Sequence, residues 1–134
     1  MDASSRAVLV VEDHSPTSAV VARMVRSRGF QVVAASSLAE ARAAARQHDI
    51  GFVISDLGLA DGDGCDLMQE LRSQLGIRGA VISGYGSAAD LARSAEAGFI
   101  VHLVKPITAA ELDEVLKIAR RELDRPGPPP ASAR

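Results

Sequence analysis

With 134 residues, 47% of them apolar and 24% charged, the chain has the length and balance of one globular domain that needs no disulfide or metal staple. A net charge of −2 with no basic run argues against a phosphate-backbone footprint for nucleic acid. No apolar stretch approaches the roughly 20 residues of a membrane helix, MDASSR lacks a signal-peptide core, and the single Cys65 can form no internal disulfide, so a reducing, cytoplasmic setting is expected.

The core must be aliphatic, because the chain has three Phe, one Tyr and no Trp. Ala7 to Val11 reads as the first strand and runs into Glu12 and Asp13. Ser15 is the expected cap of a first helix, with Pro16 at its first position and Val20, Val21, Met24 and Val25 as its apolar stripe. Gly29 ends that helix, Phe30 to Ala35 forms the second strand, and Ser37 to Gln47 a short Ala-rich helix. Phe52 to Ser55 is the third strand, continued by the loop DLGLADGDG and a helix from about Cys65 that carries Leu67, Met68, Leu71 and Leu75.

Ala80 to Ser83 is the fourth strand, and Ser87 to Ala97 a helix stopped by Gly98. Ile100 to Val104 is the fifth strand, ending at Lys105-Pro106. The last helix starts near Thr108 and presents Leu112, Val115, Leu116, Ala119 and Leu123. From Arg125, RPGPPPASAR can be neither helix nor strand, which sets a domain at 1–124 and a proline-rich tail or linker remnant at 125–134.

Strands alternating with helices imply βαβ units around a parallel sheet. The strands are continuous apolar runs, as expected when helices cover both faces. The expected fold class is therefore α/β, a flavodoxin-like doubly wound five-stranded parallel sheet in the order 2-1-3-4-5 with five helices.

Ligands of such sheets bind beyond the carboxyl ends of the strands, and here those ends are polar. They supply Glu12 and Asp13, Asp56, Ser83 and Lys105. Each alone could be a helix cap or a solvated side chain; together they fit one chemistry. Three close carboxylates repel one another and call for a divalent cation, and an all-oxygen set suits Mg²⁺. With Mg²⁺ and Lys105 the acids balance to zero net charge. A phosphoryl group could then bind, with the Ser83 hydroxyl and the Lys105 ammonium on its oxygens and Asp56 as nucleophile.

The segments Val10-Val11-Glu12-Asp13, Ser55-Asp56-Leu57-Gly58-Leu59, Ser83-Gly84-Tyr85-Gly86 and Leu103-Val104-Lys105-Pro106 resemble, in this order, those of receiver domains of two-component signalling. The resemblance covers roughly Arg6 to Leu123. It implies a phospho-acceptor at Asp56, loaded by a histidine kinase or histidine phosphotransfer protein. It further implies Mg²⁺ on Glu12, Asp13, Asp56 and the Gly58 main-chain carbonyl, phosphoryl contacts from Ser83 and Lys105, and room above the acceptor at Gly84. A cis peptide before Pro106 is implied too, as is a homodimer or downstream-partner surface on helix 4, strand 5 and helix 5. The SGYG and GFIVHLVKPI segments are similar to receivers of hybrid kinases, and both a single-domain regulator and a receiver of a larger protein fit.

Some features depart from the family pattern. His102 stands where an aromatic switch residue is usual; it either alters that switch together with Ser83 or occupies a variable surface position. Ala60 replaces a frequent proline, which leaves the loop less rigid. Gly58 offers no side chain to orient water and Tyr85 could shield the site, so a stable aspartyl-phosphate is expected.

Asp61 fails as the start of a calcium loop, because the required oxygen, glycine and glutamate positions are filled by Cys65, Asp66 and Arg72. Asp61 and Asp63, with Gly62 and Gly64, are expected to shape the turn into helix 3. Cys65 reads as a buried small residue, and His14 and His48 as surface residues. Two alternatives to a phosphorylated switch are a small Mg²⁺-dependent phosphohydrolase and a receiver-like binding module that is never phosphorylated. The first lacks an acid at Gly58, and the second would ordinarily have lost one of the acids or the lysine. A dinucleotide-binding fold lacks its Gly-rich turn after strand 1.

Overall fold

A computed structural model describes residues 6–84 and 87–125. Tyr85 and Gly86 of the SGYG segment, the first five residues and most of the proline-rich tail lie outside the described residues. The elements run β1 (Ala7–Val11), α1 (Ser15–Ser27), β2 (Gln31–Ala35), α2 (Leu38–Gln47), β3 (Ile50–Asp56), β4 (Gly58–Leu59), β5 (Gly62–Asp63), α3 (Gly64–Leu75), β6 (Arg78–Ser83), α4 (Ala88–Ala97), β7 (Phe99–Val104) and α5 (Ala109–Asp124).

The main sheet is parallel, in the order β2-β1-β3-β6-β7. Counting only its own strands, this is the expected 2-1-3-4-5. The pair β4 and β5 adds to that expectation: it is a two-residue antiparallel ribbon, Gly58 opposite Asp63 and Leu59 opposite Gly62, that folds the acidic loop back on itself.

Alternation along each strand feeds two cores. One joins Leu9, Val11, Val53 and Val81 to Leu38 and Ala41 of α2 and to Leu67, Met68 and Leu71 of α3. The other joins Val8, Val10, Phe52, Ile54, Ala80 and Ile82 to Val21 and Val25 of α1 and to Leu112, Val115, Leu116, Ala119 and Leu123 of α5. Burial of both strand faces at the centre explains the unbroken apolar runs of β1 and β3. The edge strands differ from expectation: β2 and β7 each bury only one residue fully, because half of an edge strand's surroundings is solvent or a single helix.

Several helix starts follow the sequence signals. Ser37 accepts from the Glu40 N–H, Ser87 from the Asp90 N–H, and Thr108 forms a reciprocal capping box with Glu111. Helix α1 corrects the expectation for Ser15, which is its first helical residue. His14 occupies the cap position without a side-chain capping bond; Pro16 in the first turn has no N–H, so there is one donor fewer to satisfy. Val20 is exposed rather than part of the core stripe, and Ala22 takes a buried place beside Val21 and Val25.

Candidate functional site

The carboxyl ends of β1 and β3 lie side by side, since Val11 is in register with Ser55. The ladder continues past both ends. Glu12 N–H donates to the Ala35 carbonyl at 3.0 Å, and Leu57 N–H to the Ile82 carbonyl at 2.9 Å. These bonds hold the Glu12 and Asp56 side chains, both buried, against each other, with exposed Asp13 beside them. Glu12, Asp13 and Asp56 each offer a carboxylate oxygen, all within 4.8 Å of one another. From the far side of the sheet, Lys105 N–H donates to the Ser83 carbonyl at 2.8 Å. Its Nζ then reaches 3.3 Å from Asp56 Oδ2 and 3.5 Å from Glu12 Oε2. The acids and the lysine, distant in sequence, form one cluster.

Its electrostatics are those of a site short of positive charge. Burial, then the hydrogen bond and negative charge of Asp56, push the Glu12 carboxyl up to about 7, against the pull of Lys105 and the His14 N–H. Burial works against the Lys105 charge, but Asp56 and Glu12 outweigh it and hold the ammonium above the ordinary lysine range. One ammonium shared between two buried acids leaves room for a divalent cation, and hard carboxylate oxygens are the donors Mg²⁺ takes. The residues present fit that ion.

Ser83 ends β6 and is buried; Gly84 after it is exposed, and a methyl group there would meet nothing within 4 Å. Gly58 is equally open. Asp56, Gly58, Ser83, Gly84 and Lys105 line one crevice above the strand ends. The Lys105–Pro106 peptide is cis. The half-buried ring of His102 lies between Ser83 Oγ, 2.8 Å from Nε2, and Ser94 Oγ, 3.1 Å from Nδ1.

The other two loop acids have separate tasks. Asp63 caps α3, accepting from the Cys65 N–H at 2.7 Å, and pairs with Arg93 of α4 at 2.8 Å. Asp61 lies, as expected, in the turn between β4 and β5 that leads into α3. Its side chain also reaches across to α2 and accepts from the Leu38 and Ala39 N–H groups at 2.9 and 3.2 Å. Those donors hold its carboxyl below the usual aspartate range. Gly62 has φ +151°, and a methyl group there would lie 2.6 Å from Leu38 Cδ1. Gly64 packs directly on the Asp56 carbonyl, leaving no space for a side chain, and its N–H donates to the Leu57 carbonyl at 2.7 Å. The glycines therefore let the loop close tightly behind Asp56. Cys65 is buried, and burial, with Asp63 nearby, pushes its thiol up to about 11. It is no nucleophile.

Sequence reasoning misses Ser94 and Arg93. Both sit on α4 and meet the site only through tertiary packing; no local pattern marks them.

Residues 8–117 match the response regulator receiver domain. The chain is 32% identical over 131 residues to the photosynthetic apparatus regulatory protein RegA of Cereibacter sphaeroides, covering 97% of this chain and 71% of that one. It is 33% identical over 126 residues to the acid tolerance regulatory protein ActR of Rhizobium meliloti, covering 92% of this chain and 63% of that one. The chain thus spans about two thirds of the length of these relatives. Among solved structures, a CheY-like receiver domain protein from Methanospirillum hungatei superposes with a TM-score of 0.81 at 22% identity, over 88% of this chain and 95% of that one; that likeness speaks for the fold. On its matched residues and its relatives, the chain belongs to the response regulator receiver domain family.

Proposed function

We propose that the chain is a phosphorelay switch that takes a phosphoryl group on Asp56 from a histidine kinase or histidine phosphotransfer protein in the cytoplasm. The observation that carries this reading is the cluster of Asp56, Glu12 and Lys105, built from three strand ends at 3.3 to 3.5 Å. An Asp56 carboxylate oxygen attacks the phosphorus of a phosphohistidine. The new O–P bond forms as the P–N bond breaks, and the imidazole leaves with its electron pair and takes a proton from solvent.

Lys105 pairs with one oxygen of the transferred group, and Ser83 donates to another. Glu12, Asp13, Asp56 and the Gly58 carbonyl would hold Mg²⁺, which when bound offsets negative charge on the phosphoryl oxygens. The donor set and the charge deficit support that ion.

The reaction ends at the phosphorylated chain, so the protein is a switch and not a turnover enzyme. Hydrolysis of external phosphoesters would need an acid near the leaving group, and Gly58 has none to offer. The output surface proposed is α4, β7 and α5, supported by large apolar side chains left exposed there, Leu91 on α4 and Ile100 and Val104 on β7. Residues 1–124 act as the receiver and 125–134 as a tail or linker.

Tyr85, two positions after Ser83 in the chain, is the only tyrosine and there is no Trp, so near-ultraviolet emission reports on Tyr85. Beryllofluoride should change that emission only when Mg²⁺ is present, and the change should vanish in Asp56→Asn. A response that survives in Asp56→Asn contradicts the assignment.

A further inference from the structure

The hydroxyl proposed to meet the phosphoryl group is held by an imidazole. Ser83 Oγ lies 2.8 Å from His102 Nε2, and Nδ1 of the same ring lies 3.1 Å from Ser94 Oγ. Both serines are buried, one at the end of β6 and one on α4. Ser94 already uses its hydrogen, donating to the Leu91 carbonyl at 3.0 Å. A hydroxyl has one hydrogen, so Ser94 meets Nδ1 as an acceptor and Nδ1 carries the proton.

Two states remain for Nε2. In the neutral ring it is a lone pair, and the Ser83 hydroxyl donates to it. In the imidazolium it is an N–H that donates to Ser83 Oγ, and the serine hydrogen turns elsewhere.

The next step rests on the reading that a phosphoryl group on Asp56 accepts a hydrogen bond from Ser83. Phosphoryl oxygens without protons only accept, so they compete for the hydrogen that neutral His102 holds. We propose that His102 is a proton-coupled positioning residue for Ser83. Neutral, it draws the hydroxyl hydrogen toward itself; with a proton taken from solvent at Nε2, it reverses the bond and releases that hydrogen to the phosphoryl group. Phosphoryl uptake and proton uptake then favour each other by the same factor.

The charges around the pair act in the same direction. Sharing the crevice with Ser83 are Asp56 from β3, Asp63 from β5, Asp90 and Arg93 from α4, and Lys105 after β7. Glu96 and Arg78 are the remaining charged residues of α4 and β6, which pack on β7. Arg93 is paired with Asp63, and Lys105 with Asp56 and Glu12. A phosphoryl group adds negative charge to this set and so stabilises an imidazolium nearby.

Nitrogen-resolved NMR of the full chain reads both tautomer and titration, with exposed His48 as an internal reference. Above about pH 8, where an ordinary imidazole is neutral, His102 should be the Nδ1–H tautomer. Mg²⁺ with beryllofluoride should move its midpoint upward relative to that of His48. An Nε2–H tautomer in the free chain, or an unmoved His102 in a chain whose Asp56 amide has responded to beryllofluoride, overturns this proposal and leaves the acceptor reading standing. No response at Asp56 overturns the acceptor reading and this proposal with it.

His102→Gln separates positioning from packing, because the amide keeps a donor and an acceptor but does not titrate. As pH falls through the wild-type midpoint, wild-type affinity for beryllofluoride should gain on the variant's, by about tenfold for each pH unit that the ligand moves the His102 midpoint. Parallel pH profiles overturn the proposal.

Discussion

Lys105 Nζ lies 3.3 Å from Asp56 Oδ2, although 49 residues separate the two in the chain. The Lys105 backbone continues the ladder from Ser83, and its side chain reaches from there to the two acids. Replacing the lysine should leave the acids in place. Lys105→Met is expected to bind Mg²⁺ with at least wild-type affinity, since a repelling cation is gone, while phosphoryl uptake from acetyl phosphate slows. Calorimetric titration with Mg²⁺ checks the first half; loss of Mg²⁺ binding would mean that the lysine organises the acids rather than complements them.

Glu12 makes stability depend on pH in a direction opposite to most carboxylates. Its folded-state value of about 7 lies above the ordinary 4.5, so between these values the folded chain holds a proton that the unfolded chain has lost. Stability is greatest below the lower value and falls as pH rises through the higher one. In urea titrations without divalent cation, the midpoint should drop between about pH 5 and pH 8. Mg²⁺ should restore it at the upper end only, where the ion need not displace a proton. Glu12→Gln should flatten the curve, and an unchanged slope in that variant would place the titrating group elsewhere.

These relationships mark where sequence reading stops. The strand ends are legible because an apolar run that terminates in a polar residue is a local pattern, and the parallel sheet carries those ends to one edge. The sheet order follows from the βα alternation for the same reason. Asp61 is read as a turn residue, but its bonds to Leu38 and Ala39 are not legible, because those partners belong to another βα unit. His102 can be read from its position as a departure from pattern, but Ser94 cannot. Its pairing depends on how α4 lies over β7, and no spacing rule encodes that. Val20 is expected inward because the 3.6-residue period admits more than one face on a helix where valine, alanine and methionine side chains crowd together.

Asp61 and Asp63 should prove structural. Asp61→Ala removes the acceptor for two N–H groups at the start of α2 and should lower the unfolding midpoint. Asp63→Ala should lower it too, and it also frees Arg93. Denaturant titration measures both. Neither should abolish phosphoryl uptake at Asp56, and abolition in Asp61→Ala would show that the acid belongs to the site.

The aspartyl-phosphate is expected to last well beyond seconds, because Gly58 provides nothing to orient an attacking water. A side chain at Gly58 would enter open space, so Gly58→Asn should fold normally and lose its phosphate several-fold faster. Following acid-labile phosphate after removal of the donor tests this, and a variant that decays no faster would assign the control of lifetime to other residues.

Asp56 alone among the clustered acids is the proposed phosphoryl acceptor. Incubation of the full chain with acetyl phosphate and Mg²⁺, followed by borohydride trapping and peptide mass mapping, reads the acceptor directly. Modification is expected at Asp56, with its loss without Mg²⁺ and none in Asp56→Asn. Phosphate trapped at Glu12, Asp13 or any other residue of the wild-type chain would overturn the assignment.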